Sequence, residues 1–316
     1  MLKELQTIEF IKEILGIKTA KNLDEIYKVL QNLSKKSDFN SLYILNYLYK
    51  FICSDEVAKR KSGAREFEDF LAVLFGGVIA DNNKRKNISI SVPNFFENVQ
   101  DKVASNKREK ADLIFDNFSV SLKTLIPSNK EINMGSFEKT ILFDGLGLQS
   151  FLTERKNEAN IGLGSVTQLN NLIDTIKKGK NYDKFVKKFD EMVKFIYAEN
   201  LIVAIKSNKQ FEFYFFSNGE FYEIFKEFAL NQNITNIVNR WEGNSIRIDR
   251  EILLENCKKK VVMKFDKLND EIITLINKFD LNLHKNYASY FNKDLSAKQR
   301  IFDELNANFE IFKDRI

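Results

Sequence analysis

The chain is poor in the residues on which several large classes of enzyme depend. It contains one histidine, His284, and two cysteines, Cys53 and Cys257, which lie far apart in the sequence. Zinc sites, disulfide frameworks and most histidine-based catalytic sites need clusters of these residues. The composition therefore excludes zinc hydrolases, zinc fingers, nucleases built on several histidines, Ser-His-Asp hydrolases that use a histidine other than His284, and disulfide-stabilised scaffolds.

Glycine-rich phosphate-binding motifs and long apolar segments are also missing. Neither GxxxxGK[ST] nor GxGxxG occurs, so the usual signals of a phosphate-cradling loop are absent. The longest nearly uninterrupted apolar run, residues 70–80, is shorter than the roughly 18–20 residues that a membrane-spanning helix requires. The N-terminal sequence lacks an apolar core followed by a cleavage site. We therefore expect a cytoplasmic protein that does not bind membranes and relies on carboxylate and lysine chemistry.

Positive charge is concentrated in one part of the chain. The formal net charge is +5, from 49 Lys and Arg against 44 Asp and Glu. Residues 59–110 hold eleven basic and seven acidic side chains, and the basic ones form clusters at 59–65, 84–86 and 102–110. Such a stretch can face the phosphates of a nucleic acid, and it can equally be the solvated surface of a lysine-rich protein.

The spacing of apolar residues divides the chain into helical ends and a mixed middle. Steps of three and four residues predict helices over 2–15, 23–33, 42–53, 56–75, 165–177, 182–197, 220–229 and much of 268–316. Alternation predicts strands over 87–92, 111–115, 118–125, 201–205, 211–216, 245–248 and 261–265. The expected fold is α/β (α+β), a mixed central sheet flanked by helices. We divide it into an N-terminal helical subdomain (1–54), a core (55–265) and a C-terminal helical segment (266–316).

One predicted hairpin carries an acid and a lysine. Asp112 begins the first strand and Lys123 lies on the second, with Asp116 and Asn117 as the turn. A tight hairpin brings these two side chains to the same end of a sheet. The carboxylate can hold Mg²⁺, and the ammonium group can orient or deprotonate a water for attack on phosphorus. Since such a pair also occurs by chance, the alternative is an ordinary ion pair.

Residues upstream of the hairpin add a second carboxylate. The helix that runs through GAREFEDFLAVLFGG carries Glu68. This helix, a strand with an aspartate and a following strand with a lysine together resemble the PD-(D/E)XK nuclease superfamily. The string KADLIFDNFSVSLKTL, followed by EINMGS, is similar to type II restriction endonucleases. The resemblance covers residues 62–136, about a quarter of the chain.

The resemblance implies roles for individual residues. Asp112 corresponds to the family's metal-binding aspartate, Lys123 to its lysine and Glu68 to a supporting glutamate on the helix, while Leu122 stands where a main-chain carbonyl often joins the metal shell. The expected cofactor is Mg²⁺. Ser121 occupies the position of a second acidic ligand, and Ala111 replaces the proline before the aspartate. Either Asp112, the Leu122 carbonyl and water hold the metal, or Glu68 or Glu131 replaces the missing acid.

Several polar side chains are candidates for DNA contact. They lie on the helix that carries Glu68, just before Asp112, in the polar loop expected over 127–136, and near the start of a later helix. The set is Arg65, Lys107, Arg108, Lys110, Lys130, Asn133 and Gln168. Trp241 is either an intercalating wedge or, more commonly, a packed indole. The aromatic residues over 211–216 are expected in the core, where alternating aromatics on a strand usually lie.

The resemblance implies a type II restriction endonuclease, which hydrolyses phosphodiester bonds of double-stranded DNA at specific sites with Mg²⁺. Because many such sites are palindromic, it also implies a homodimer whose two-fold axis matches that of the DNA. Two alternatives stay open. One is a non-catalytic nucleic-acid-binding or interaction protein on a decayed nuclease fold, and the other is a structure-selective repair nuclease.

Overall fold

The computed structural model describes residues 2–14, 16–54, 63–79, 111–136, 143, 145–148, 166–196, 200–242 and 245–285. The strand expected over 87–92, the basic residues Lys107, Arg108 and Lys110, and the chain after residue 285 lie outside these ranges. Within them the architecture is mixed α/β, as the periodicity predicts. None of the described helices is long and apolar enough to cross a membrane.

Three helices form the N-terminal part, each close to its predicted position. Helix α1 is Leu2–Ile14, α2 is Leu23–Lys35 and α3 is Phe39–Tyr47, which continues as a π-helical segment over Leu48–Cys53. The side chain of Asn22 caps α2 by accepting a hydrogen bond from the backbone N–H of Glu25. Asp38 caps α3 in the same way, through the N–H of Ser41. These caps satisfy backbone donors that a helix leaves unpaired at its start, which explains where both helices begin.

Helix α4, Gly63–Phe75, leads into a hairpin and the main sheet. Strand β1 is Val78–Ile79, β2 is Leu113–Ile114 and β3 is Ser119–Leu125. The backbone N–H of Phe115 donates to the carbonyl of Phe118 at 2.9 Å, closing the tight turn that Asp116 and Asn117 predict. A Cβ at position 63 would overlap Nζ of Lys206, so the end of that lysine side chain packs directly against Gly63.

The main sheet has six strands in the order β1-β2-β3-β5-β6-β9. Strands β5 (Asn200–Lys206), β6 (Gln210–Ser217) and β9 (Lys259–Lys264) complete it. All neighbours are antiparallel except β3 and β5, which run parallel. Because parallel neighbours need a long crossover, the chain passes through helices α5 (Val166–Lys178) and α6 (Tyr182–Ile196) between them.

A second sheet of three strands was not expected from the sequence. Strands β4 (Glu131–Ser136), β7 (Val238–Glu242) and β8 (Ser245–Asp249) form it in the antiparallel order β4-β8-β7. The prediction that residues 127–136 form a polar loop is therefore wrong for residues 131–136. Ile132 and Met134 alternate with polar neighbours over too few residues to predict a strand. The strand that pairs with β4, β8, lies more than a hundred residues away in the chain.

Three further helices, α7 to α9, lie in the C-terminal part of the described chain. Helix α7 is Asn218–Phe225 and continues as a π-helical segment over Lys226–Leu230, α8 is Arg250–Glu255 and α9 is Asp270–Lys285. Ser217 and Glu220 form a capping box at the start of α7, in which each side chain accepts a hydrogen bond from the other residue's backbone N–H. Helix α8 was not predicted, since it has fewer than two turns of apolar periodicity.

Two hydrophobic cores lie on opposite faces of the six-stranded sheet. The first joins α1–α4 and α9 to the face that carries Val120, Leu122 and Phe213. The second joins α5–α7 and the small sheet to the face that carries Leu125, Val203 and Phe216. The aromatic residues of β6 are thus core residues, as expected. Burial of each large apolar side chain stabilises the fold by about 1.5–3 kcal/mol.

Candidate active site

The hairpin fixes Asp112 beside strand β3. The backbone N–H of Asp112 donates to the carbonyl of Val120 at 3.0 Å, and its Oδ2 accepts a hydrogen bond from the backbone N–H of Leu122 at 2.6 Å. A charge-assisted bond of this length is stronger than a neutral one. The half-exposed carboxylate is therefore held against the residue that precedes Lys123.

Lys123 lies on the same stretch of β3 and is half-exposed. It pairs in register with Val203 of the parallel strand β5, which holds its backbone in the sheet. Within the described part of the chain, no hydrogen bond or ion pair engages its ammonium group. In particular, Asp112 and Lys123 do not form an ion pair with each other, which was the alternative to a catalytic role for these two residues. The ammonium group is therefore available to a ligand.

Ser121 lies between these residues and is 4% exposed. A hydroxyl group can contact a metal but supplies no negative charge. Among the residues that the structure describes, no group of three or more His, Cys, Asp or Glu side chains is placed to hold a metal ion. Apart from Asp116 in its turn, the described hairpin thus offers one carboxylate, that of Asp112, with main-chain oxygens beside it.

Glu68 lies midway along α4 and is half-exposed. Phe67 and Phe70 of this helix pack in the first core with Val120 and Leu122. Since side chains alternate along a strand, Lys123 belongs to the opposite face of β3 from that helix. The structure brings Asp112 and Leu122 into direct contact. Glu68, in contrast, lies on the helix that covers the face of β3 opposite Lys123.

Glu131, the other carboxylate considered as a replacement acid, is engaged elsewhere. Arg240 donates two hydrogen bonds to its Oε2, from Nε at 2.9 Å and from Nη2 at 2.6 Å, and Arg247 approaches the same oxygen at 4.0 Å. These contacts belong to the small sheet. Glu131 is thus bound by Arg240 and approached by Arg247, two residues that the sequence does not mark as its partners because strand β4 lies far from strands β7 and β8 in the chain.

The candidate DNA-contact residues are spread over several elements. Arg65 lies half-exposed in the first turn of α4, and Lys130 is exposed just before β4. Asn133 is exposed on β4, where its Oδ1 accepts a hydrogen bond from Oγ of Ser245 at 2.5 Å. Gln168 lies in the first turn of α5. Of these, Lys130 and Asn133 lie close together, next to the arginines of the small sheet.

Trp241 is a packed core residue. It is fully buried, and its ring lies edge-on to Phe143 at 5.8 Å and to Phe189 at 6.0 Å between ring centroids. An indole in this position cannot insert between base pairs without unfolding the small sheet. Of the two roles considered for Trp241, the packed indole is correct and the intercalating wedge is wrong.

Comparisons of this chain with protein-family models, with curated proteins and with solved structures find no match.

Replacing Asp112 separates its structural role from its charge. We expect Asp112→Ala to lower the free energy of unfolding by about 1–3 kcal/mol, because the buried N–H of Leu122 loses its acceptor. Asp112→Asn keeps an acceptor oxygen and removes the charge, so its loss is expected to stay below about 1 kcal/mol. Urea unfolding followed by circular dichroism measures both. Equal losses in the two variants would show that the hydrogen bond does not stabilise the hairpin.

Proposed function

We propose that this protein is a Mg²⁺-dependent endonuclease that hydrolyses phosphodiester bonds in double-stranded DNA at specific sites, in the manner of a type II restriction endonuclease. The observation that carries the proposal is the anchored carboxylate of Asp112, bonded to the N–H of Leu122 immediately before Lys123, whose ammonium group has no ion-pair partner among the described residues. The supporting arrangement is a helix with a glutamate followed by two antiparallel strands, one with the acid and one with the lysine.

The donor set suits a hard divalent cation. Mg²⁺ is commonly held by one or two carboxylates together with substrate phosphates and water, not by a cage of protein ligands. Asp112 and the main-chain carbonyl of Leu122 would hold it together with water and a substrate phosphate, because Glu68 lies on the helix across the other face of β3. When bound, the ion supplies positive charge that neutralises the charge developing on the phosphate.

The protein's own groups would position the reactants. Oδ2 of Asp112 is held by the N–H of Leu122, so the carboxylate needs no reorganisation when substrate arrives. The ammonium group of Lys123 donates hydrogen bonds to the attacking water or to a phosphate oxygen, and orients the water for in-line attack. The attacking water forms a bond to phosphorus and releases a proton to solvent, the bond to the leaving sugar oxygen breaks, and that oxygen takes up a proton from solvent.

The proposed partner is double-stranded DNA, bound by a homodimer in the cytoplasm. A two-fold symmetric dimer would place one active site on each strand of a palindromic site. Each subunit would then cut one strand.

A non-catalytic DNA-binding protein on the same fold is the second candidate. The buried Ser121 favours it, since an acid is missing where the resemblance implies one. In that case Asp112 would serve only to hold the hairpin together, and Lys123 would contact a phosphate.

The deciding experiment incubates the full-length protein with unmethylated phage DNA, with Mg²⁺ or with EDTA, and separates the products by gel electrophoresis. Discrete fragments that need Mg²⁺ are the expected result. Cleavage at branched or damaged positions, whatever their sequence, would identify the structure-selective nuclease. DNA that is bound in a mobility-shift assay but never cut, with Mg²⁺ or Mn²⁺, would contradict the proposed activity and favour the non-catalytic candidate.

A further inference from the structure

The turn between helices α5 and α6, with the helix ends beside it, is strongly basic. Residues 177–188 contain six lysines and one aspartate, so this short stretch alone carries a charge of +5, equal to the formal net charge of the whole chain. Five of the lysines are exposed to solvent, namely Lys177, Lys178, Lys180, Lys184 and Lys187. We refer to these five residues as the lysine turn.

The helices themselves need only part of this charge. Lys177 and Lys178 lie in the last turn of α5, where positive charge interacts favourably with the helix dipole. Lys184 lies in the first turn of α6, where the dipole disfavours a cation, and its Nζ donates a hydrogen bond to the carbonyl of Gly145 at 3.1 Å. Lys180, between the two helices, has neither role. The formation of α5 and α6 therefore does not account for the accumulated positive charge.

Lysines at the start of β9 show what compensation looks like in this fold. Lys259 forms an ion pair with Asp24 at 2.6 Å, and Lys260 forms one with Glu212 at 2.6 Å. Within the described ranges, no acidic side chain forms an ion pair with any of the five ammonium groups of the lysine turn, although Asp183 belongs to the same stretch. Clustered charges of one sign attract ligands of the opposite sign. The lysine turn is therefore suited to an anionic partner.

The backbone at Lys180 is an independent indication of function. Among the described residues, Lys180 is the only one other than glycine with a positive φ, which is 56°. The N–H of Asn181 donates to the carbonyl of Ile176, so this position ends α5, where glycine or asparagine normally stands. A longer side chain is strained in the left-handed conformation. Strain at an exposed position suggests that the side chain serves something other than folding.

The lysine turn belongs to the side of the main sheet that carries Lys123. Helices α5 and α6 pack in the second core through Ile176 and Phe185, against the sheet face that carries Leu125 and Val203. Since Leu125 and Lys123 are two positions apart on β3, their side chains belong to the same face. A duplex bound at Lys123 would thus lie on the side of the sheet that also presents the lysine turn.

We propose that the lysine turn binds the phosphodiester backbone of the DNA duplex. Lysine ammonium groups are compact point charges that contact phosphates without reading the base sequence. Each contact releases counterions from the DNA, so the surface supplies affinity and orientation and leaves sequence recognition to other residues. This inference rests on the proposed function, for which it names a surface that holds the substrate.

The test measures binding separately from cleavage. The full-length protein is titrated against a fluorescein-labelled duplex of mixed sequence, in EDTA and at several NaCl concentrations. We expect Lys187→Gln to weaken binding about eightfold at about 0.1 M salt and to reduce the slope of log K against log salt by about 0.9, the effect of one lost phosphate contact. Lys187→Arg keeps the charge and is expected to keep the slope.

Lys180→Gly separates the loss of binding from a loss of folding. Glycine adopts the left-handed conformation without strain, so this variant is expected to unfold at a higher temperature than the wild type. Because the ammonium group is removed, the same variant is expected to bind the duplex about eightfold more weakly at about 0.1 M salt. Lys28→Gln is the matched control, since Lys28 is exposed on α2, which packs on the opposite face of the main sheet. It is expected to bind as the wild type does.

The outcomes separate this inference from the proposed activity. If Lys180→Gly and Lys187→Gln bind with the affinity and salt slope of the wild type, the lysine turn is not a backbone-binding surface, even when cleavage is intact. If both weaken binding as expected but the wild type does not cut DNA with Mg²⁺, the surface stands and the nuclease activity fails. A wild type that binds no duplex at low salt overturns the inference.

An anionic membrane is the other partner that such a surface could take. The same variants are therefore tested for sedimentation with vesicles of phosphatidylcholine and phosphatidylserine. Loss of vesicle binding in both variants, together with unchanged affinity for the duplex, would assign the lysine turn to a lipid surface and overturn the inference.

Discussion

Lys123→Ala is expected to lower the rate of DNA cleavage by at least about 100-fold, the lower end of what a positioned proton-transfer or water-orienting group contributes. The reason is that Lys123 follows the residue to which Asp112 is bonded, and no hydrogen bond or ion pair with another described residue engages its ammonium group. Binding of the same DNA in EDTA is expected to stay within about twofold, since a duplex contacts many phosphates and loses at most one. Single-turnover cleavage with enzyme in excess over DNA measures the chemical step directly.

Lys264→Ala is a matched control for this variant. Lys264 is an exposed lysine on β9 of the same sheet, and it lies four strands away from Asp112. We expect wild-type cleavage from this variant. A Lys123→Ala protein that cuts at the wild-type rate would remove Lys123 from the mechanism, whereas parallel losses of cleavage and binding would assign it to DNA contact only.

Trp241→Ala is expected to produce the largest loss of stability. The indole is fully buried between Phe143 and Phe189 beneath the small sheet. Truncation of a buried large aromatic side chain costs about 3–5 kcal/mol through lost burial and the cavity left behind. This is a large part of the roughly 5–15 kcal/mol by which a typical domain is stable. Urea unfolding followed by circular dichroism measures the change, since the variant lacks the only tryptophan.

Trp241→Phe is the conservative comparison, because it keeps an aromatic ring in the second core and is expected to lose less than half as much stability. If the ring served as a wedge between base pairs, the two variants would instead keep the stability of the wild type and lose affinity for DNA. That pattern would contradict the packed position of the indole.

Local periodicity was enough to predict most helices and the central hairpin. Helix α2 begins where Asn22 provides a cap, and the turn at Asp116 and Asn117 joins strands that alternate in period two. These features depend on residues a few positions apart, which the sequence displays directly. Helix α8 and strands β4 and β7 were missed because each is short and is stabilised mainly by partners distant in the chain.

The candidate site was predictable in part for the same reason. Asp112 and Lys123 belong to one hairpin, so their proximity follows from the turn between them. The partner of Glu131 was not predictable, because Arg240 lies 109 positions away and reaches it only through strand β8. The pairing of Arg240 with Arg247 likewise depends on strands that meet only in the folded chain.

The sequence by itself determined the class of fold, the shortage of histidine and cysteine, and the hairpin that holds an acid and a lysine together. The shortage is a matter of composition, whereas local hydrogen bonds and side-chain alternation decide the helices, the strands and the hairpin and are visible within a window of about ten residues. Only the tertiary structure decided that Lys123 forms no ion pair with Asp112, that Glu68 lies on the helix across the other face of β3, and that Glu131 is bound by Arg240. Those outcomes depend on sheet register and on which face each helix covers, and packing over the whole chain sets both.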